Sequence, residues 1–159
     1  MTGKEYLAQR PKTNRTAFLD MIAWAEGTAK LGDGGYNVMV GGSLFESYAD
    51  HPRKVVHVKA NLYSSAAGRY QLLSRYFDVY KTQLQLPDFG PESQDAIALQ
   101  QIRESRALAD IDAGRIYWAM TRCNRIWASL PGSPYGQKTR APAQCRKEFE
   151  RAGGVVIDE

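Results

Sequence analysis

An α+β fold, helical along most of its length and carrying one small antiparallel sheet, is predicted for this 159-residue chain by three observations. Apolar residues recur at helical spacing before residue 27 and again after residue 68. Between those stretches the period changes, glycines crowd together at positions 32, 34, 35, 41 and 42, and the apolar residues fall into short strand-like runs. No repeat and no low-complexity tract interrupts the order of helix, small sheet and several helices, a layout in which a sheet can form one wall of a groove and helices the other.

The elements follow in order. Residues 1–13, with Gly3, Pro11 and scattered charges, read as a poorly ordered lead-in. Residues 14–26 form the first helix, with Asn14 as its N-cap and Gly27 as its stop. Residues 36–40 and Leu44-Phe45 flank a Gly41-Gly42 turn, and residues 54–58 offer a third strand. Helical period returns over 70–80 and ends at a break containing Pro87 and Gly90. Pro91 and Glu92 open a helix to about Ile102, as a proline and an acid in the first turn should. A stretch from Leu108 to about Ile126 is interrupted near Gly114, a loop follows over 130–137, and a last helix runs from Pro142 to Ala152.

Composition bounds the function. The length suits one domain, with residues 14–159 as its body, and 43% hydrophobic with 24% charged residues is ordinary for a globular protein. No apolar stretch is long enough to span a bilayer, and the N-terminus lacks the apolar core of a secretory signal. A net charge of +4, from 21 Lys and Arg against 17 acids, favours an anionic partner such as nucleic acid, an acidic polysaccharide or an anionic membrane surface. Cys123 and Cys145 have neither CxxC nor metal-ligand spacing and read as free thiols. With two histidines, His51 and His57, and no paired cysteines, neither a metal nor another cofactor is expected.

The residue that points to chemistry is Glu26. Phe18 and Ile22 occupy successive places on the buried stripe of the first helix, and the next place in that series is a carboxyl. Desolvation by the apolar face and the partial negative charge of unpaired carbonyls at the helix C-terminus both disfavour its ionised form. That is the environment of a general acid. Two further segments offer small residues, an aromatic ring and an amide: Ser64-Ser-Ala-Ala-Gly-Arg-Tyr-Gln71 and Leu130-Pro-Gly-Ser-Pro-Tyr-Gly-Gln137. Such groups hold a sugar ring and its N-acetyl group, and each segment also reads as a loop or cap that serves only its own backbone.

The segments Ala17-Phe-Leu-Asp-Met-Ile-Ala-Trp-Ala-Glu-Gly-Thr28, Asp50-His-Pro-Arg-Lys54, Ala67-Gly-Arg-Tyr-Gln-Leu-Leu-Ser-Arg75, Ser93-Gln-Asp-Ala-Ile-Ala-Leu-Gln-Gln-Ile102 and Ile126-Trp-Ala-Ser-Leu-Pro-Gly132 together resemble the lambda-type phage endolysins, over about residues 14–156. The resemblance implies a lysozyme-like fold with a peptidoglycan groove, and lytic transglycosylase activity in which Glu26 is the single essential acid. It implies substrate contacts at Tyr70 and Gln71, within a Gly-x-x-Gln segment, with Ser65 behind them, and at Tyr135 and Gln137 on a lip of the groove. It also implies accumulation in the host cytoplasm, release to the periplasm through holes made by a separate holin, and action as a monomer without nucleic acid. In the turn where family members carry a carboxylate, this chain has Gly41-Gly-Ser43.

Two other functions stay open at this point. A hydrolytic muramidase would pair Glu26 with a second carboxylate, for which the sheet region offers Asp33, Glu46 and Asp50, although Asp50-His51-Pro52 also reads as turn chemistry. A basic nucleic-acid binder would use the charge, the 3 Trp, 9 Tyr and 5 Phe, and the Arg115 to Arg122 stretch, in which Trp118 and Met120 are more simply core.

Overall fold

In a computed structural model, which describes residues 1–157, the elements run α1 (Gly3–Gln9), α2 (Asn14–Glu26), β1 (Val56–Lys59), β2 (Leu62–Ser64), α3 (Ser74–Leu84), α4 (Pro91–Glu104), α5 (Leu108–Ala113), α6 (Ile116–Cys123) and α7 (Pro142–Arg151). The predicted α+β class therefore holds. The chain divides into two compact units, Met1–Gln9 with Gly27–Ile97, and Arg10–Glu26 with Ala98–Glu159.

The first unit has its core in Met39, Phe45, Ala67, Leu72, Phe77, Tyr80, Phe89 and Ile97, with Tyr48, Leu84 and Leu86 packed against it. The regular sheet is smaller than expected: the strand expected over 54–58 forms as β1, and it pairs antiparallel not with 36–45 but with β2, with Val56 opposite Ser64 and His57 opposite Tyr63. Residues 36–40 do not make a strand of their own. The chain from Leu31 to Gly35 winds in a turn closed by the Gly35 N–H on the Leu31 carbonyl, and only single bridges follow, Val38 to Leu44 and Met39 to Ala67. Closely spaced glycines allow that winding where a strand would need extended backbone.

Residues 70–73 are not helical either. Ala67 and Leu72 exchange both backbone hydrogen bonds, at 3.0 and 2.8 Å, which closes Gly68-Arg-Tyr-Gln71 into a tight turn with φ of +86° at Gly68 and +56° at Gln71. The helix begins only at Ser74, where Ser65 Oγ accepts the Ser74 backbone N–H at 3.0 Å and so caps α3 from nine residues upstream. Gly68 is required twice over. Its φ is unfavourable for a side chain, and a Cβ there would lie 2.5 Å from Gln94 Oε1 and 2.9 Å from Phe89 Cζ.

The lead-in expected to be poorly ordered is corrected by α1. Asp33 caps it from a distance: its carboxylate accepts the N–H groups of Gly3 (2.6 Å) and Lys4 (3.0 Å) at the start of α1, and the Tyr48 hydroxyl at 2.7 Å. Thr2 and Glu5 add a reciprocal capping pair. Tyr6 then packs edge-on against Tyr36 at 5.9 Å.

The second unit is built on α2, whose Ala17, Phe18, Leu19, Met21, Ile22, Ala23 and Ala25 are all buried, and which packs against α5 and α7. A helix apolar on so many sides belongs in an interior. Its N-cap is Thr13 rather than Asn14. Thr13 Oγ1 accepts the Thr16 N–H (3.2 Å) while Thr16 Oγ1 accepts the Thr13 N–H (2.9 Å). Asn14 is thereby free to bind the Ile111 carbonyl at 2.9 Å and to exchange hydrogen bonds with Val155. The stretch from Leu108 breaks at Gly114 into α5 and α6, and α7 starts on Pro142, both as expected. Cys123 and Cys145 are buried free thiols, and burial pushes them up to about 12 and about 11.

Replacing Asp33 with Ala removes three acceptor contacts at once. The expected cost is about 2 kcal/mol near neutral pH, from a lost cap and a lost charge-assisted hydrogen bond, read as a lower urea midpoint with faster amide exchange over residues 3–9. Hydrogen bonds from Tyr48, Gly3 and Lys4 outweigh burial and hold Asp33 below its ordinary 3.8. Its stabilisation is thus complete above that value, and the gap between the two proteins closes as the pH falls through the folded value.

Candidate active site

Glu26 is the last residue of α2, and Gly27, at φ +80°, turns the chain out of the helix. The side chain is partly buried. Burial pushes its carboxyl up to about 7, against smaller downward pulls from the Ser129 hydroxyl and the Arg140 guanidinium. Ser129 Oγ donates to Glu26 Oε1 over a long 3.4 Å. Near neutral pH the carboxyl is therefore poised between acid and base, which is the property general acid and base catalysis requires.

The surroundings of Glu26 in the second unit come from the loop that follows α6. Leu130 is fully buried and Asn124 Nδ2 holds the Pro131 carbonyl at 3.1 Å, which anchors the residues directly after Ser129. Arg140 donates its backbone N–H to the Ser129 carbonyl at 2.8 Å and its Nε to the Ala25 carbonyl at 3.2 Å, and its guanidinium carbon lies 5.1 Å from the centroid of the Trp24 ring. Tyr135 and Gln137 are solvent-exposed on the same loop. The Tyr135 hydroxyl donates to the Arg125 carbonyl at 2.9 Å, and the residue is 56% exposed.

In the first unit, the Gly68-Arg-Tyr-Gln71 turn carries a buried polar network. The hydroxyls of Tyr6, Tyr36 and Tyr70 donate to the Asp95 carboxylate at 3.1, 2.9 and 2.5 Å, and Arg69 donates to the Tyr70 hydroxyl at 3.1 Å and to the Gly34 carbonyl at 2.9 Å. Tyr70 is 5% exposed, and its hydroxyl is one of the three that satisfy Asp95, which sets most of the side chain beneath the turn. Gln71 is partly exposed, and its amide donates to the carbonyls of Val38 (3.2 Å) and Gly68 (2.8 Å). Its amide oxygen and its left-handed backbone are features associated with ligand-facing turns. Ser65 is occupied with the start of α3.

Two of the three candidates for a second catalytic carboxylate have structural work. Asp33 is bound by three donors around α1, and Asp50 is paired with Arg53 (2.8 Å), whose guanidinium also holds Asp78. Both are held below the usual carboxylate range, Asp33 by the hydrogen bonds described above and Asp50 by Arg53. Glu46 is exposed. The histidines are likewise spent: His51 accepts the Arg53 N–H on Nδ1 and therefore donates from Nε2 to the Leu72 carbonyl at 2.8 Å, while His57 Nε2 meets the Ala60 carbonyl. Among the described residues, no group of three or more His, Cys, Asp or Glu is placed to hold a metal ion.

Sequence reasoning singled out Glu26 but passed over Ser129, Arg140 and Trp24 as its companions. Arg140 carried no signal, since nothing local relates it to a residue more than a hundred positions upstream.

A family model described as endolysin matches residues 16–156. The chain is 55% identical to the endolysin of Escherichia phage lambda over 146 residues, 89% of this chain and 92% of that one, and 46% identical to the endolysin of Escherichia phage P2 over 156 residues, 89% and 94%. Among solved structures it is similar to bacteriophage lambda lysozyme in complex with a chitohexasaccharide, with a TM-score of 0.89 and 53% identity over 93% of this chain and 99% of that one. A second structure of lysozyme from bacteriophage lambda matches with a TM-score of 0.86 and 51% identity.

The raised value of Glu26 has a cost in stability. Its folded value lies above the ordinary 4.5, so the folded protein keeps a proton that the unfolded chain releases, and stability falls as the pH rises from about 4.5 to about 7. Glu26→Gln removes that cost. The variant is expected to match the wild type in chemical denaturation near pH 4 and to exceed it by about 2–3 kcal/mol at pH 8.

Proposed function

The chain belongs to the endolysin family, lysozyme-like enzymes that cleave peptidoglycan, and from that premise we propose that it is a lytic transglycosylase in which Glu26 serves first as acid and then as base. The observation that carries this reading is the burial that brings the Glu26 carboxyl up to about 7. In its protonated form Glu26 donates to the oxygen between N-acetylmuramic acid and N-acetylglucosamine. The bond from that oxygen to C1 breaks and leaves an oxocarbenium-like centre, which the substrate's own N-acetyl group helps to stabilise. The Glu26 carboxylate then takes the proton of the muramic 6-hydroxyl as its oxygen closes on C1, which regenerates the acid and yields a 1,6-anhydro product without consuming water.

The engagement of Asp33 and Asp50 in structural hydrogen bonds supports a single-carboxyl scheme over the hydrolytic alternative, which needs a carboxylate to act as nucleophile or to activate water. An intramolecular hydroxyl has the advantage of a high effective concentration. The sugar ligand of the lambda lysozyme structure supports a glycan as substrate. In the first unit Tyr70 and Gln71, with Ser65 behind them, and in the second unit Tyr135 and Gln137, are the contacts assigned to that glycan. Residues 14–159 act in this reading as one catalytic domain, as a monomer, after cytoplasmic accumulation and release to the periplasm by a holin. No helix among the described residues is long and apolar enough to cross a membrane itself.

Glu26→Gln keeps shape and hydrogen bonding but not the proton, and lysis of outer-membrane-permeabilised Gram-negative cells should drop by about a hundredfold or more. Turbidity clearing near the wild-type rate would remove Glu26 from the chemistry.

The products distinguish the two reactions. Mass spectrometry of digested murein should return 1,6-anhydromuropeptides, about 18 mass units lighter than their hydrolysed counterparts, with no oxygen-18 taken up from labelled water. Reducing-end products carrying the label would make the enzyme a hydrolase with Glu26 as its acid.

A further inference from the structure

The last turn of α2 presents an electrostatic difficulty that its own sequence does not solve. A carboxyl sits at the negative end of the helix dipole, and no basic residue occupies that turn. Yet three successive residues there are met from one direction. Arg140 reaches Trp24 with its guanidinium, at 5.1 Å, and the Ala25 carbonyl with Nε, at 3.2 Å, while Ser129, held to the Arg140 backbone at 2.8 Å, reaches Glu26.

We propose that Arg140 is a positioning residue for Glu26: it fastens the C-terminal turn of α2 and sets a fixed positive charge against the carboxylate that proton donation leaves behind. The inference rests on the reading of Glu26 as the acid. The Trp24 face and the Ala25 carbonyl restrain the side chain, and the Ser129 carbonyl, which accepts the Arg140 backbone N–H, fixes the backbone that carries it. The planar guanidinium suits this task because it can lie on the indole and donate in its own plane to a carbonyl, which an ammonium cannot do. Its pull on Glu26 opposes burial, so the acid releases its proton more readily than burial alone would allow.

Other charges on α2 and on the elements packed against it are engaged elsewhere. Arg10 pairs with Asp20, Arg15 with Asp112, Arg146 with Glu150 and Arg151 with Glu148; Asp110 takes Arg115 and Arg122, and Lys147 is exposed. Arg140 and the neutral Ser129 hydroxyl are the groups that act on Glu26.

The test is a carbon-13 titration of the Glu26 carboxyl in the full chain, assigned by its loss in Glu26→Gln, alongside the pH profile of kcat on purified murein. In Arg140→Met the Glu26 midpoint should rise by about half a pH unit or more, and kcat at neutral pH should fall at least about fivefold with KM little changed. Arg140→Lys should bring the midpoint back while recovering only part of kcat, since it restores charge without the fork. If Arg140→Met does not fold, Arg140→Gln, which keeps a donor for the Ala25 carbonyl but no charge, makes the same comparison. An unmoved midpoint in the uncharged variants, or a lysine variant no different from methionine, overturns the proposal. A midpoint that moves while the kcat profile stays in place supports Arg140 as the partner of Glu26 and instead refutes Glu26 as the acid.

Discussion

A carboxyl that ends an apolar helix is the constraint around which the second unit is arranged. Burying α2 on nearly every side is favourable, and continuing the same series of positions to Glu26 carries an ionisable group to the edge of that buried surface, where it is partly withdrawn from water. The protein does not neutralise that group with a tight ion pair. It offers a long hydrogen bond from Ser129 and the nearby charge of Arg140, both of which pull the carboxyl down against the larger effect of burial, which brings it up to about 7. A stronger partner would have fixed Glu26 as a permanent carboxylate, and bare burial would have fixed it as a permanent acid.

The first unit solves a different problem, how to support a tight turn with a buried polar base. Gln94 accepts the Arg69 N–H through Oε1 and donates through Nε2 to the carbonyls of Tyr36 and Phe89, while Asp95 takes three tyrosine hydroxyls. Two neighbouring residues of α4 thus hold the turn from below, and Gly68 leaves the space that Gln94 uses. Among the described residues, no buried side-chain polar atom lacks a partner, which is the condition under which such a network adds rigidity rather than cost. The side chains of Arg69 and Tyr70 are buried by this arrangement, and Gln71 is left as the partly open one.

Helices α2, α4 and α7 were legible because each has a periodic apolar face and local boundary signals: Gly27 after α2, Pro91 and Glu92 opening α4, Pro142 opening α7. Glu26 was legible for the same reason, as a departure from its helix's own pattern. α3 is capped by Ser65 and the turn at 68–71 is closed by the exchange between Ala67 and Leu72, so that these boundaries are set by partners outside the segments they bound; α1 is capped both by Asp33 and by its own Thr2 and Glu5, a local signal that the reading of the lead-in passed over. The strand expected at 36–40 failed where neighbouring glycines made a wound turn as accessible as extended backbone.

By itself, then, the sequence determined the α+β class, the apolar helix that ends in Glu26, and, through whole segments shared with the endolysins, the family. These depend on residues close together in the chain or on long runs of identity. Only the tertiary structure decided that Arg140 and Ser129 attend Glu26, that Tyr70 supports the turn from within, and that Asp33 and Asp50 are already bound. Hydrogen bonds and charges act through distances of a few ångströms in space, and the sequence separation of the groups, 103 residues between Ser129 and Glu26 and 115 between Arg140 and Ala25, leaves no trace of them in any local pattern.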